Sequence, residues 1–569
     1  MAFGSPEDPA AAPALEDQRR REPLPDPRHA AAAAVARGHA LSRPRRSAAG
    51  LVAAGILASR LVGLVRQRVI AHYFGQSTDA ADAFFAAFRI PNFLQNLFGE
   101  GVLSASMIPE YTRLIAAGRT DEARRLAGAV AGLLSALVLI VVAVGVTAAP
   151  VLVYAIVPGF TGHRQQLAIL LVRILFPGVG ALVLSAWCLA ILNSHRRFLL
   201  SYSAPVVWNL AIIVATLLPR GPMAPEHLVV WTAWGAVVGS VLQFAVQLPV
   251  LLRLTGGVKL SLDARDPRVR IVLRNFGPVF VSRGVVQISA FIDAMIASLL
   301  PVGAVAVISN SQTLYLLPVS LFGMSVAAAE LPELSEVAGD AGASAEGLRA
   351  RISAGSARIA FFIVPSAMVF LSLGQLVAGL LLQSGRFSQM DSYWVWATLA
   401  GSTVGLLATA QGRLLTSTYY ALNDTRTPLG YAAVRVALTL VLGFAAAIWG
   451  PRLFGIDSRW GTAGLTASAG AAGWVEFLLL RRGLARRIGA FGLPAGLLPR
   501  LWGAAAGAAA IAWGLHVLLA SHAQHGLARS AEAALVLAVF TAAYAGLTLA
   551  LGIEAAWALW RRIARPRSA

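Results

Sequence analysis

A succession of long apolar stretches runs through this chain, each near or beyond the ~20 residues that carry a helix across a bilayer. We mark fourteen, near 49–72, 81–112, 126–157, 165–193, 201–219, 227–251, 271–299, 302–333, 357–382, 391–420, 428–449, 461–480, 497–520 and 530–559. Lipid offers no hydrogen bonds to a bare backbone, so spans of this kind must be helical. The fold class expected is therefore an all-α polytopic membrane protein with 14 transmembrane helices. Of the 569 residues, 57% are hydrophobic and only 13% charged, about half the charged share of a soluble domain. A soluble enzyme is excluded.

The net charge of +20 is almost all arginine, with Lys259 the single lysine. It sits at the ends of the apolar spans, the signature of membrane topology and not of a nucleic-acid groove. Loops after the even-numbered spans carry about 21 basic residues, against about six (Arg164, Arg220, Arg386, Arg452, Arg459, Arg529) on the other side. This asymmetry places the N- and C-termini of a multi-pass membrane protein in the cytoplasm. Residues 1–47 are rich in Pro, Ala and Arg and read as a disordered basic cytoplasmic tail lying against anionic membrane lipids, with no cleaved leader. Cys188 stands alone, which excludes disulfides within the chain. The nine histidines are scattered and mostly interfacial. No metal, no nucleotide-binding GxxxxGK[ST] loop and no catalytic residue is expected.

An internal repeat organises the spans. Ser59-Arg60 recurs as Ser282-Arg283, Leu97-Phe98-Gly99 as Leu321-Phe322-Gly323, and Ile108-Pro109-Glu110 as Leu331-Pro332-Glu333, at a nearly constant offset of about 223 residues. Six spans per repeat is an even number, so the halves share one orientation, a transporter design with the site between them. The expected division is 48–255 (spans 1–6), 268–481 (spans 7–12) and 496–563 (spans 13–14).

Charges inside the spans nominate the site, because each costs about 3 kcal/mol at mid-bilayer on insertion scales. Arg60, Arg66 and Arg68 lie in span 1; Asp82, Arg89 and Glu100 in span 2; Arg283 and Asp293 in span 7. Snorkelling to headgroups explains Arg68 as readily as a site role, and Arg60 less well. A salt bridge to Arg60 or Arg66 is the structural alternative for Glu100. Arg60, Arg66, Arg89 and Arg283 together would line a cavity for an anion, with guanidinium forks suited to diphosphate or carboxylate oxygens. Asp82, Glu100 and Asp293 are the cavity or coupling acids. Asp79 reads as a helix N-cap. Pro91, Pro109, Pro318 and Pro332 are candidate bending points.

The run Ser59-Arg60-Leu61-Val62-Gly63-Leu64-Val65-Arg66, with Phe74-Gly75, Asp82-Ala83-Phe84-Phe85, Pro91-Asn92, Phe98-Gly99-Glu100-Gly101 and Pro109, resembles the MurJ/MviN family of lipid II flippases. Gln287-Ile288-Ser289, Leu317-Pro318, Gly385-Arg386-Phe387 and Asp424-Thr425-Arg426-Thr427-Pro428 extend the likeness through span 12. The resemblance implies two six-helix lobes around a cavity, with spans 13–14 forming a groove for a polyprenyl tail. It also implies alternating-access export of undecaprenyl-diphosphate-linked peptidoglycan precursor, or a similar polyprenyl-diphosphate glycan. No cofactor is implied beyond an energy input from the membrane potential or a monovalent cation. Positions where family members carry charges are here Gln67, Gln95 and Gln312-Thr313, and Arg283 is expected to supply the missing cation. The alternatives are a related exporter of another polyprenyl-linked glycan or an amphipathic drug, an intramembrane glycosyltransferase, and a structural scaffold.

Overall fold

A computed structural model of the chain describes residues 46–98, 103, 106–219, 221, 223–327, 330, 334, 345–422, 424–520 and 526–564. The chain divides into residues 1–54 and residues 55–569, and the packing below is that of the second unit. In chain order the helices are α1 (Arg46–Phe74), α2 (Asp79–Asn96), α3 (Ile108–Ala116), α4 (Thr120–Thr147), α5 (Ala149–Ile156), α6 (Gly162–Ser194), α7 (Phe198–Leu217) and α8 (Pro225–Thr255). The second half holds α9 (Pro267–Ser298), α10 (Ala304–Pro318), α11 (Ala345–Ser372), α12 (Gly374–Leu382), α13 (Gln389–Thr403), α14 (Leu406–Ala421), α15 (Arg426–Phe444), α16 (Gly450–Phe454) and α17 (Gly461–Ile488). Three more follow: α18 (Leu497–Ala520), α19 (Gly526–Ala550) and α20 (Glu554–Ala564). Among the described residues there is no strand.

Ten helical stretches among the described residues are long and apolar enough to cross a bilayer. They coincide with the expected spans 3–6, 8, 9 and 11–14. The other four expected spans fall on α1, α2, α9 and the α13–α14 pair. Arginines punctuate α1 and α9, while α2 has 18 residues and carries Asp82 and Arg89. Span 10 is interrupted at Val404–Gly405.

Local chemistry sets the helix ends. Thr78, not Asp79, is the N-cap of α2: its hydroxyl accepts from Ala81 N at 3.1 Å. The smaller hydroxyl takes the extended cap conformation, and Asp79 falls in the first turn, 3.7 Å from His163 Nδ1. Ser388 and Asp391 form a reciprocal capping box that starts α13. Pro109 opens α3 instead of bending a longer helix. Pro91 lies inside α2, and Pro318 leads into a π-helical turn over Val319–Met324. Pro332 lies outside the described residues.

Small residues let the helices approach closely, as membrane interfaces require. A Cβ on Gly405 would meet Gly470 Cα at 2.4 Å, and one on Gly401 would meet Ala463 O at 2.3 Å, so α17 packs backbone to backbone on the α13–α14 break. In the first half α6 packs on α2, α4 and α8, and α8 packs on α7. In the second half α17 packs on α13, α14 and α15. The α18–α19 hairpin lies against α11 and α12.

Candidate functional site

Among the described residues the halves meet around the end of the bundle that carries Asp82. This carboxylate has no exposed surface. Its Oδ2 accepts from Gly303 N at 2.8 Å and from Arg164 Nη1 at 3.1 Å, and its Oδ1 accepts from Ala306 N at 3.0 Å. Gly303 and Ala306 are the N-cap and third residue of α10, so Asp82 caps a helix of the opposite half. Gly303 takes φ +99°, and a Cβ there would crowd Trp394 and the Gln76 carbonyl, so glycine is required.

Beside this cap runs a chain of buried amides. Gln67 Nε2 donates to Asn310 Oδ1 at 2.5 Å, Asn310 Nδ2 donates to Gln76 Oε1 at 2.5 Å, and Gln76 Nε2 donates to Gly303 O at 3.0 Å. Further along, Arg68 Nη1 donates to the carbonyls of Leu380 and Leu381, at 2.6 and 3.3 Å. Arg68 thus satisfies the open C-terminal carbonyls of α12 instead of snorkelling. Arg386 N donates to His72 O at 2.9 Å, and Gly159 N to Ser298 Oγ at 3.0 Å.

Deeper in the bundle the described residues include several cations. Arg66 Nη1 donates to Asn209 Oδ1 at 2.9 Å, and its guanidinium lies 4.9 Å from the centre of the Phe88 ring. Phe88 is stacked between Phe84 and Trp208. The Arg66 Nε is buried without a protein partner. Arg60, half-buried one and a half turns nearer the N-terminus, has no hydrogen bond or ion pair among the described residues. Arg89 Nη2 donates to Ser309 Oγ at 3.3 Å, and one turn further along α10 Gln312 Nε2 donates to Asp293 Oδ2 at 3.2 Å. Arg89 and Asp293 thus reach the same face of α10 from opposite halves, close enough to attract each other. Phe93 and Phe291 pack edge to face beside them at 5.2 Å.

The sequence-nominated residues therefore separate. Arg66, Arg89 and Asp293 gather around α10, with Arg60 on the same helix as Arg66. Asp82 belongs to the seam at the bundle end, where hydrogen bonds use both of its oxygens. Glu100 lies outside the described residues, and so does the side chain of Arg283, whose backbone is part of α9. Neutral Gln67 and Gln312 are structural partners of Asn310 and Asp293.

Other polar residues of the bundle lie outside the charges of spans 1, 2 and 7. Arg435 bonds Glu476 at 3.2 Å between α15 and α17, and its charge also acts on Asp293. Asp293 Oδ1, Arg435 Nε and Thr439 Oγ1 are all buried without a protein hydrogen-bond partner. Asn209 and Asn310 were visible as amides inside apolar spans. Among the described residues no cluster of His, Cys, Asp and Glu has the make-up of a metal site.

Comparisons with known proteins complete the picture. The family model described as lipid II flippase MurJ matches residues 70–550. The lipid II flippase MurJ of Burkholderia cenocepacia is 32% identical over 441 residues, 76% of this chain and 82% of its own. The probable lipid II flippase MurJ of Vibrio cholerae is 30% identical over 444 residues, again 76% and 82%. Among solved structures, lipid II flippase MurJ in an inward closed conformation is similar with a TM-score of 0.71 at 21% identity, over 88% of this chain and 99% of that one. An inward-facing multidrug-resistance MATE transporter follows with a TM-score of 0.60 at 18% identity, over 75% and 95%. At those identities the structures speak for the fold.

Proposed function

Because the chain belongs to the MurJ family of lipid II flippases, we propose that it carries the polyprenyl-diphosphate-linked peptidoglycan precursor from the inner to the outer leaflet of the bacterial cytoplasmic membrane. It is a transporter and not an enzyme. The observation that carries the reading is the pair Arg60 and Arg66. Each cation in a span costs about 3 kcal/mol on insertion scales, yet within the described residues the pair is balanced by one amide and one aromatic ring, with no carboxylate in contact. That is a wall prepared for an anion, and guanidinium forks match diphosphate oxygens.

The arginine asymmetry of the loops puts both termini in the cytoplasm, so the Asp82 end faces outward. In this state the halves are sealed outside by the Asp82 cap and the Gln67–Asn310–Gln76 chain. The headgroup enters from the cytoplasmic side, where Arg60, Arg66 and Arg89 hold the diphosphate, with Arg283 adding charge from α9. The polyprenyl tail stays in lipid along α18 and α19. Rocking of residues 48–255 against 268–481 then breaks the outer seam and releases the precursor. A charge moved through the membrane potential is worth about 2.3 kcal/mol per 100 mV. Asp293, poised between Arg89 and Arg435, is the group through which a cation or the potential acts, and Glu100 is the second candidate.

Complementation tests this. The chain is expressed in a bacterium depleted of its own precursor flippase, and lipid-linked precursor is measured in each leaflet. Growth and outer-leaflet precursor return with the intact chain and not with Arg60→Ala. If the inserted protein leaves host and native precursor inside, the neutral Gln67, Gln95, Gln312 and Thr313 point to a related exporter of another polyprenyl-linked glycan or an amphipathic drug.

A further inference from the structure

One cation of the second half has entered no contact so far. Arg413 lies in span 10, on α14, where it is exposed and makes no hydrogen bond or ion pair among the described residues. Its neighbours fix where it points. Thr409 stands against Gly473 of α17 and is hydrogen-bonded to Tyr315 of α10; Ala410 packs on Gly323, in the turn that continues α10; Leu414 packs on Gly355 of α11. At about 100° per residue, Arg413 falls between the directions of Thr409 and Ala410. It therefore faces α10, and its charge acts on Tyr315. Space lies beside it, since nothing stands within 4 Å of where a Cβ on Gly412 would be. One turn on, Thr416 and Ser417 flank the same face, half-buried and with no hydrogen-bond partner for either hydroxyl among the described residues.

The described acids of this half are committed elsewhere. Asp293 takes Gln312 and feels Arg89 and Arg435, and Glu476 holds Arg435. Glu330, which reaches Gly355, lies 3.0 Å from Arg358 and 3.9 Å from Arg351. Asp424 is held by Arg487 and Thr427. Glu100, Glu333, Glu336 and Asp340 lie outside the described residues.

Depth separates Arg413 from the other cations. Ser77 Oγ donates to Asp391 Oδ1 at 3.2 Å, which sets the start of α13 level with the turn between α1 and α2. From that end Arg66 lies eight residues along α1 and Arg89 ten along α2, about 12 and 15 Å. Arg413 lies twenty-four residues on from the start of α13, about 36 Å of helix. A diphosphate seated on Arg66 and Arg89 does not extend that far.

We propose that Arg413, with the Thr416 and Ser417 hydroxyls, is a second anion site in the transport path, and that it takes a carboxylate of the peptide carried by the precursor. One guanidinium fork matches one carboxylate, and the hydroxyls donate to its remaining lone pairs. The proposal rests on the cargo read above and adds to it the residues that recognise the peptide end.

The test measures binding to the full chain in phosphatidylcholine nanodiscs. Two probes are titrated: the polyprenyl-diphosphate muropeptide with free carboxylates, and the same lipid with those carboxylates amidated. The intact chain should bind the acid form about tenfold more tightly, the worth of one charge-assisted hydrogen bond. Arg413→Gln should remove that preference by weakening the acid form alone, and Arg413→Lys should keep part of it. Thr416→Ala gives a second, milder loss that leaves the charge in place. Arg452→Gln, an exposed cation of an outer loop, should change neither titration. Equal binding of the two forms by the intact chain, or an Arg413→Gln variant that weakens both alike, would overturn the carboxylate site while leaving the cargo in place. An intact chain that binds neither form would overturn the cargo itself, and the site with it.

Discussion

Replacing Asp82 by alanine asks how much of the closed state rests on one carboxylate. The side chain accepts three hydrogen bonds, two from the N-terminal amides of α10 and one from Arg164, with no solvent access. Removing one partner of a buried ion pair costs about 3–5 kcal/mol, because the other charge is left unpaired. Arg164 keeps the Gly159 carbonyl at 3.3 Å and the Phe160 ring at 4.2 Å, so the lower bound applies. Loss of the helix cap adds about 1 kcal/mol. If these bonds exist only while this end is closed, about 4 kcal/mol moves the open-to-closed ratio by nearly three decades, at 1.4 kcal/mol per decade. Cys188 is buried, so spin labels can be placed cleanly at Tyr154→Cys in the first half and Met390→Cys in the second, both exposed positions. Pulsed dipolar distances between them should shift to a longer population in Asp82→Ala and only partly in Asp82→Asn, which keeps one acceptor. An unchanged distribution in a variant that remains folded by thermal melting would mean that the cap stabilises α10 without holding the halves together.

Three further outcomes follow from the same geometry. Arg66→Gln should weaken binding of a diphosphate lipid about 10- to 100-fold, from a lost charge-assisted bond of roughly 1.5–3 kcal/mol, while leaving the spin-label distances alone; a titration of precursor binding in nanodiscs checks it. Gly303→Ala should lower thermal stability by about 1–3 kcal/mol through strain at φ +99°, and a melt of the purified protein reads it. In the loop before α15, hydrogen bonds from Thr427 N and Oγ1 and the Arg487 guanidinium hold Asp424 down at about 2, from an ordinary 3.8. A depressed carboxylate stabilises the fold above its unfolded value and loses that as pH falls. Melting temperature should therefore drop between about pH 4 and pH 2, and Asp424→Asn should remove that part of the slope.

What lives along one helix was legible in the residues alone. Apolar length identified the membrane-spanning elements, because burial in lipid is read residue by residue. The arginine bias of the loops predicts an orientation. The matched Ser-Arg and Leu-Phe-Gly segments, 223 to 224 residues apart, predict two halves of one orientation. Charges at Arg60, Arg66, Arg89 and Asp293 stood out because their insertion cost needs a reason. Which charges face one another was not legible, since a span shows its polar residues but not their partners. Asp82 looked like a cavity acid and is the cap of α10, because Gly303 brings that helix terminus to within 2.8 Å of it. Gln67 looked like a lost charge and is the first link of an amide chain with Asn310, 243 residues away. Arg68 looked free to reach headgroups and instead closes the carbonyl end of α12. Hydrogen bonds between helices so distant in sequence leave no periodic trace in either one. Only the packed bundle, with its backbone-close glycine contacts, decides whether a buried charge becomes a strut or stays available for cargo.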